Sequence, residues 1–175
     1  LDADSGLFSP DFRSHERLGQ LLTQVAGRSG RGSMAGKVIL QTHQPDHPLL
    51  EVLTQQSYGD YSKLLRKQRK QSQLPPYKQL VLVRADAAHA QNAEAFLQSA
   101  RQCAEAISPS GETVNYLGPL PALMERRNSR HRYVLQISGG RRSDLNVLLS
   151  QLMFELEKLP MARHVRWGVD VDPQE

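Results

Sequence analysis

Gln79-Leu-Val-Leu-Val-Arg-Ala85, followed after Asp86 and Ala87 by Ala88-His-Ala-Gln-Asn-Ala-Glu-Ala-Phe-Leu-Gln-Ser-Ala-Arg-Gln-Cys-Ala-Glu-Ala-Ile107, decides the fold. The first run is branched and aliphatic and reads as a strand. The second carries Ala93, Phe96, Leu97, Ala100, Ala104 and Ile107 on one stripe, as a helix with one buried face does. Toward the C-terminus, Pro109 to Glu112 reads as a turn. Val114–Leu117 and Tyr133–Ile137 read as strands on either side of a long loop rich in Pro and Arg. Leu145, Leu148, Leu149, Leu152, Leu156 and Leu159 recur at three or four residues, so Ser143–Leu159 is an amphipathic helix, stopped by Pro160. Val165, Trp167, Val169 and Val171 alternate with polar or small residues, the mark of a half-buried strand. Strand, helix, strand, strand, helix, strand predicts an α/β domain over residues 74–175. It is a split βαββαβ ferredoxin-like sandwich, with one four-stranded sheet and both helices on one face.

Toward the N-terminus the pattern is less complete. Gln73-Leu-Pro-Pro-Tyr77 disfavours helix and marks a domain boundary, and Tyr58–Gln73 reads as a linking helix. Leu1–Asp4 reads as the tail of a strand, Phe8-Ser-Pro-Asp11 as a turn, and a helix runs from about Asp11 to Gly27. Lys37-Val-Ile-Leu-Gln-Thr42 reads as a strand, and about Pro48–Gln56 as a helix. One strand, helix, strand unit cannot cover a parallel sheet alone, so residues 1–57 read as the end of a larger lobe.

Composition narrows the class. No apolar run approaches the roughly 20 residues that span a bilayer. Leu1 follows no initiator Met, so the chain reads as a piece of a longer protein. The single cysteine, Cys103, excludes an internal disulfide and a cysteine-based zinc site within the chain. His43 and His47 have helical metal-ligand spacing, but Pro45 between them breaks that helix, so no metal site is expected. A net charge of +4 hints at nucleic acid, and its distribution says more. Lys63, Arg66, Lys67, Arg69 and Lys70 fall together, as do Arg126, Arg127, Arg130 and Arg132.

Gln24-Val-Ala-Gly-Arg-Ser-Gly-Arg-Gly32 ends the first helix and presents Arg28 and Arg31 among glycines, an arrangement suited to phosphate oxygens. Gln-x-x-Gly-Arg-x-Gly-Arg resembles motif VI of superfamily-two helicases. The run Leu1-Asp-Ala-Asp-Ser-Gly-Leu-Phe-Ser-Pro-Asp-Phe-Arg-Ser-His-Glu-Arg17 narrows the resemblance, with Gln41-Thr-His-Gln-Pro-Asp-His-Pro48, Gln73-Leu-Pro-Pro-Tyr77, Gly118-Pro-Leu-Pro-Ala122 and Val171-Asp-Pro173. Across essentially its whole length the chain resembles the C-terminal part of the primosomal protein N′ (PriA) family of replication-restart helicases.

That resemblance implies that residues 1–57 are part of a RecA-like helicase lobe. It implies that Arg31 is an arginine finger, Arg28 a second phosphate contact, and Gln24 their motif partner. ATP and Mg²⁺ would serve the parent protein, and zinc only its upstream part. The 175 residues contain no Gly-x-x-x-x-Gly-Lys-Ser/Thr loop, so the chain by itself is expected neither to hydrolyse ATP nor to unwind DNA. Asp2, Asp4, Asp11, Arg13, Glu16 and Arg17 resemble the segment that couples nucleotide state to the DNA track; capping and salt bridging account for them equally well.

Arg126, Arg127, Arg130 and Arg132, with Tyr133 adjacent and Tyr116 and Trp167 on neighbouring strands, suit single-stranded or branched DNA. Lys67 and Lys70 form a second phosphate patch. The resemblance also implies that Arg142 receives the acidic tail of single-stranded DNA-binding protein; Asn146 stands where a Gln is usual. Other primosome proteins are implied partners, and a bacterial, nucleoid-associated cytoplasmic location is implied. The competing reading is a non-enzymatic nucleic-acid-binding module whose Gly-Arg loop simply touches phosphates.

Overall fold

The computed structural model describes residues 3–9, 11–29, 37–111 and 113–173. They divide into two compact units, Leu1–Ser72 and Gln73–Pro173.

In the second unit the branched run Gln79–Ala87 forms β1, one of the two central strands of a four-stranded antiparallel sheet. α5 (Ala90–Ile107) follows, then β2 (Val114–Arg127), β3 (Arg130–Gly139), α6 (Arg142–Lys158), a 3-10 turn (Pro160–Arg163) and β4 (Arg166–Val171). The sheet order is β2-β3-β1-β4, so β1 hydrogen-bonds β3 on one side and β4 on the other. Strand alternation sends Val81, Val83, Ala85 and Ala87 of β1 to the same face as Leu135 and Ile137 of β3. The stripes of both helices close on that face, with Ala93, Phe96, Leu97, Ala100 and Ala104 from α5 and Leu145, Leu148, Leu149, Leu152 and Leu156 from α6. Each fully buried leucine contributes roughly 1.5 to 3 kcal/mol.

The expected long loop between the middle strands does not exist. Residues 118–132 belong to a hairpin in which β2 continues to Arg127 and turns at Asn128 and Ser129 onto β3. Asn128 and Ser129 have φ of 51° and 59°, the left-handed pair a tight hairpin turn requires. The prolines are accommodated because β2 is an edge strand with two bulges. Between Leu117↔Gln136 and Leu120↔Val134 it advances three residues to β3's two. Gly118 sits there at φ 108°, and a Cβ on it would lie 2.8 Å from the Val134 carbonyl oxygen. The Arg101 guanidinium of α5 donates to the Gly118 carbonyl at 2.7 Å and clamps that bulge.

The first unit is helical among its described residues: α1 (Asp4–Leu7), α2 (Ser14–Ser29), α3 (Pro48–Gln55) and α4 (Tyr58–Gln71). Two expected strands are corrected. Asp4 opens a short helix rather than ending a strand, and of Lys37–Thr42 only Gln41 makes a single bridge. Val38-Ile-Leu40 has strand-forming residues, but no neighbouring strand stands beside it among the described residues to make a ladder. α2 begins three residues later than expected because Asp11 belongs to the entry turn, its Oδ1 accepting from the Arg13 N–H at 3.0 Å. Ser57 caps α4, its Oγ accepting from the Asp60 N–H at 3.1 Å.

Tyr61 is fully buried among Leu18, Leu22, Leu49, Leu50 and Leu65. Its hydroxyl donates to the His15 carbonyl at 2.6 Å, and burial pushes its pKa up to about 12. Gly19 makes room for the ring: a Cβ there would lie 2.4 Å from Tyr61 Cε1. Gly19→Ala raises helix propensity by about 1 kcal/mol, yet it crowds a ring pinned at its hydroxyl, where overpacking costs about 1 to 3 kcal/mol. A net loss of stability is expected, read as an earlier thermal transition of the helical signal; a later transition refutes the crowding.

Candidate nucleic-acid interface

The arginines of the hairpin divide into two pairs. Arg126 and Arg127, at the end of β2, are exposed. Arg130 donates through Nη2 to the Asp86 carbonyl at 3.1 Å, and Arg132 Nε lies 3.5 Å from Asp86 Oδ1. The second pair therefore ties the hairpin tip to β1, and the first is presented to solvent. Arg130 Nε and His131 Nδ1 are buried and bond no described group.

The aromatic residues expected beside these arginines are not on an open face. Tyr133 shares its side of β3 with Leu135 and Ile137 and packs on the core. The Tyr116 hydroxyl is buried and donates to the Ser108 carbonyl at 2.7 Å, and burial raises its pKa. Trp167 lies against Phe96 with ring centroids 5.6 Å apart. None of the three offers a stacking platform, which corrects that part of the expectation. The face of the sheet away from the helices carries ion pairs instead: Arg84 to Asp170 at 2.6 Å, and Arg132 to Asp86.

What the sequence reading missed lies on the same hairpin. Leu120, Leu123 and Met124 are exposed at 42%, 65% and 56%. Leucine and methionine between prolines and arginines were the available signal.

On α6, Arg141 and Arg142 are both exposed at the N-terminal end, with Asn146 exposed one turn on. In the first unit, Gln24 and Arg28 are exposed in the last turns of α2. Arg31 lies outside the described residues, so the two motif arginines are not brought together by the described structure. Along α4, Arg66, Lys67 and Lys70 are exposed, and Lys63, also exposed, pairs with Asp60 at 2.9 Å. Arg69 bonds Glu16 at 2.7 Å and covers the Phe12 ring, a structural role.

Of the acids for which coupling and capping were both open, Asp2 lies outside the described residues, and Asp4 and Asp11 are engaged locally. Asp11 pairs with Arg17 at 3.0 Å. Asp4 accepts from the Thr42 hydroxyl at 2.5 Å and the His43 N–H at 3.0 Å, and contacts the His43 ring. These bonds, the Thr42 hydroxyl first, hold its pKa down at about 2, below the ordinary 3.8. A depressed carboxylate stabilises the fold above its unfolded pKa and ceases to do so as pH falls through the folded value. Stability of the first unit is therefore expected to drop between pH 4 and about 2, the window set by those two values. In Asp4→Asn that drop is expected to shrink; an unchanged acid melting profile excludes the tether as its source.

No group of three or more His, Cys, Asp or Glu residues able to hold a metal occurs among the described residues. No described helix is long and apolar enough to cross a membrane.

The split βαββαβ unit with an arginine-tipped edge hairpin is thus a small α/β domain with an exposed basic arm. A family model described as primosomal protein N C-terminal domain matches residues 70–174. The chain belongs to that family. It is 37% identical over 175 residues to the replication restart protein PriA of Haemophilus influenzae, covering 100% of this chain and 23% of that one. It is 31% identical to PriA of Bacillus subtilis, covering 99% of this chain and 21% of that one. With PriA of Synechocystis it shares 36% identity, covering 98% and 20%. The chain therefore spans about a fifth to a quarter of the length of these relatives. Among solved structures it is similar to the de novo designed protein Foldit4, at 11% identity and a TM-score of 0.41, covering 56% of this chain and 99% of that one.

Proposed function

We propose that this chain is the DNA- and partner-binding portion of an ATP-dependent helicase that recognises stalled or abandoned replication forks and starts primosome reassembly. The observation that carries the reading is the hairpin tip, where Arg126 and Arg127 stand exposed in a family whose relatives are named replication restart proteins. An arginine fork suits the phosphates of branched or single-stranded DNA. Lys67 and Lys70 on α4 offer a second set of cations. Arg142 and Asn146 at the start of α6 receive the acidic tail of single-stranded DNA-binding protein.

Gln24, Arg28 and Arg31 form half of a nucleotide site. The exposed end of α2 fits a phosphate held by another lobe, with Arg31 stabilising charge on the transferred phosphoryl group and Arg28 making a further contact. ATP with Mg²⁺ supplies that phosphoryl group; the phosphate loop and the Mg²⁺-holding acid come from outside these 175 residues. The chain by itself binds DNA and does not turn over ATP, and the longer protein works in the bacterial cytoplasm, at forks in the nucleoid.

Fork binding followed by fluorescence anisotropy across rising salt tests the reading. Affinity is expected to fall linearly on logarithmic axes, with a slope of about −0.9 per phosphate contacted. Salt-independent binding, or none, overturns it. The second reading, a non-enzymatic nucleic-acid module, draws on the basic patches alone. Adding the missing helicase lobe separates the two: ATPase activity that Arg31→Ala abolishes supports the helicase.

A further inference from the structure

We propose that the Ala122–Glu125 bulge of β2 is a wedge that stacks Leu123 and Met124 on the base pair where duplex DNA opens; this rests on the DNA reading above. Between Pro121↔Tyr133 and Arg126↔His131, β2 advances five residues while β3 advances two. The four residues Ala122–Glu125 therefore have no register partner and face only Arg132 on β3, a bulge three residues deep in the edge strand. They carry Leu123 and Met124, exposed at 65% and 56%.

The loop is held at both ends. Upstream, Arg101 clamps the Gly118 bulge. Downstream, Arg126 and Arg127 pair with His131 and Arg130 in register, and Arg130 is bonded to the Asp86 carbonyl of β1. Leu123 and Met124 thus stand side by side in sequence, both exposed, on a bulge fixed at its two ends.

The charge beside that bulge selects its occupant. Arg126 and Arg127 follow directly and are exposed, and Glu125 is the one acid between Ala122 and Arg132. The occupant must bring a flat apolar face with anionic groups immediately beside it. An open duplex end does so, its terminal base pair offering the face and its phosphates the anions. Leucine and methionine inserted at a base step, with arginine on the backbone, are a recurrent way for proteins to unstack DNA. With Tyr116, Tyr133 and Trp167 turned to the core, the apolar side chains the hairpin exposes are aliphatic, and Leu123 and Met124 are the most exposed of them.

The test uses the full 175-residue chain and a fork carrying 2-aminopurine in the terminal base pair, beside a continuous duplex of equal length. Wild type is expected to prefer the fork and to raise 2-aminopurine fluorescence. The double variant Leu123→Ser/Met124→Ser is expected to lose that rise and about tenfold in fork preference, with continuous-duplex affinity unchanged. Arg126→Ala/Arg127→Ala should weaken binding to both DNAs alike. Met124→Phe, an enlargement at an exposed position, should strengthen the signal. The wedge is overturned if the double serine variant keeps wild-type preference and fluorescence, the result expected of a bulge that serves a protein partner. It is also overturned if wild type binds the fork while 2-aminopurine stays silent. Failure of wild type to bind either DNA instead removes the DNA reading on which the wedge stands.

Discussion

Phe96→Ala is expected to remove about 3 to 5 kcal/mol from the unit formed by residues 73–173. Phe96 has no exposed surface, lies on the α5 stripe that closes on β1 and β3, and touches the ring of Trp167 on β4. Its removal leaves a cavity between a helix and three strands, and their backbones are fixed by the β1 ladders, so the site cannot collapse around it. Against a typical stability of about 5 to 15 kcal/mol the loss is large. Trp167 is the only tryptophan and sits in this unit, so its fluorescence during denaturant unfolding reports this transition selectively. The midpoint should fall sharply with the slope preserved. Leu123→Ala is the control: a bulge residue at 65% exposure is expected to shift the midpoint by no more than about 0.5 kcal/mol. Equal shifts in the two variants exclude Phe96 as the keystone.

The same contrast explains what could be read from the sequence. α5, α6, β1 and β4 follow from periodicity because each has one face turned to a shared core, and burial then dictates residue spacing. The hairpin did not follow, because its outer part has no core side. From Leu117 to Arg127 nearly every residue of β2 is exposed or half-exposed, and Gly118, Pro119 and Pro121 break the alternation that marks a strand. The ladder there is dictated by β3 and by the left-handed turn at Asn128 and Ser129, information that is not local to β2.

The misplaced aromatic platform had a legible correction. Tyr133 is in phase with Leu135 and Ile137, and Trp167 with Val169, so alternation already assigned them to the core side. Residue type suggested stacking, and position decided against it. Lys37–Thr42 failed in the opposite way: its residues favour a strand, but strand propensity describes how a side chain fits a pleated neighbour, and none stands beside it among the described residues. The motif at Gln24–Gly32 was legible as composition, and its last three residues, Gly30–Gly32, lie outside the described structure.

Arg126→Glu/Arg127→Glu is expected to lower fork affinity about a hundredfold at low salt and to reduce the salt slope by about 2. Both side chains are exposed and in register at the tip, so reversal replaces two phosphate attractions by two repulsions without removing a packed group. Arg130 and Arg132 are excluded from the test because each is tied to Asp86, and reversing either would loosen the hairpin itself. Arg163→Glu, exposed on the 3-10 turn after α6, changes net charge by the same two units per site and serves as the control for long-range field. Screening confines that field to about 10 Å at ordinary ionic strength. The control should therefore leave the slope near its wild-type value, while the tip variant flattens it. Equal losses from tip and control would mean that net charge drives binding; a tip variant with undiminished affinity would place the phosphate contacts elsewhere in the chain, with Lys67 and Lys70 of α4 next to be reversed.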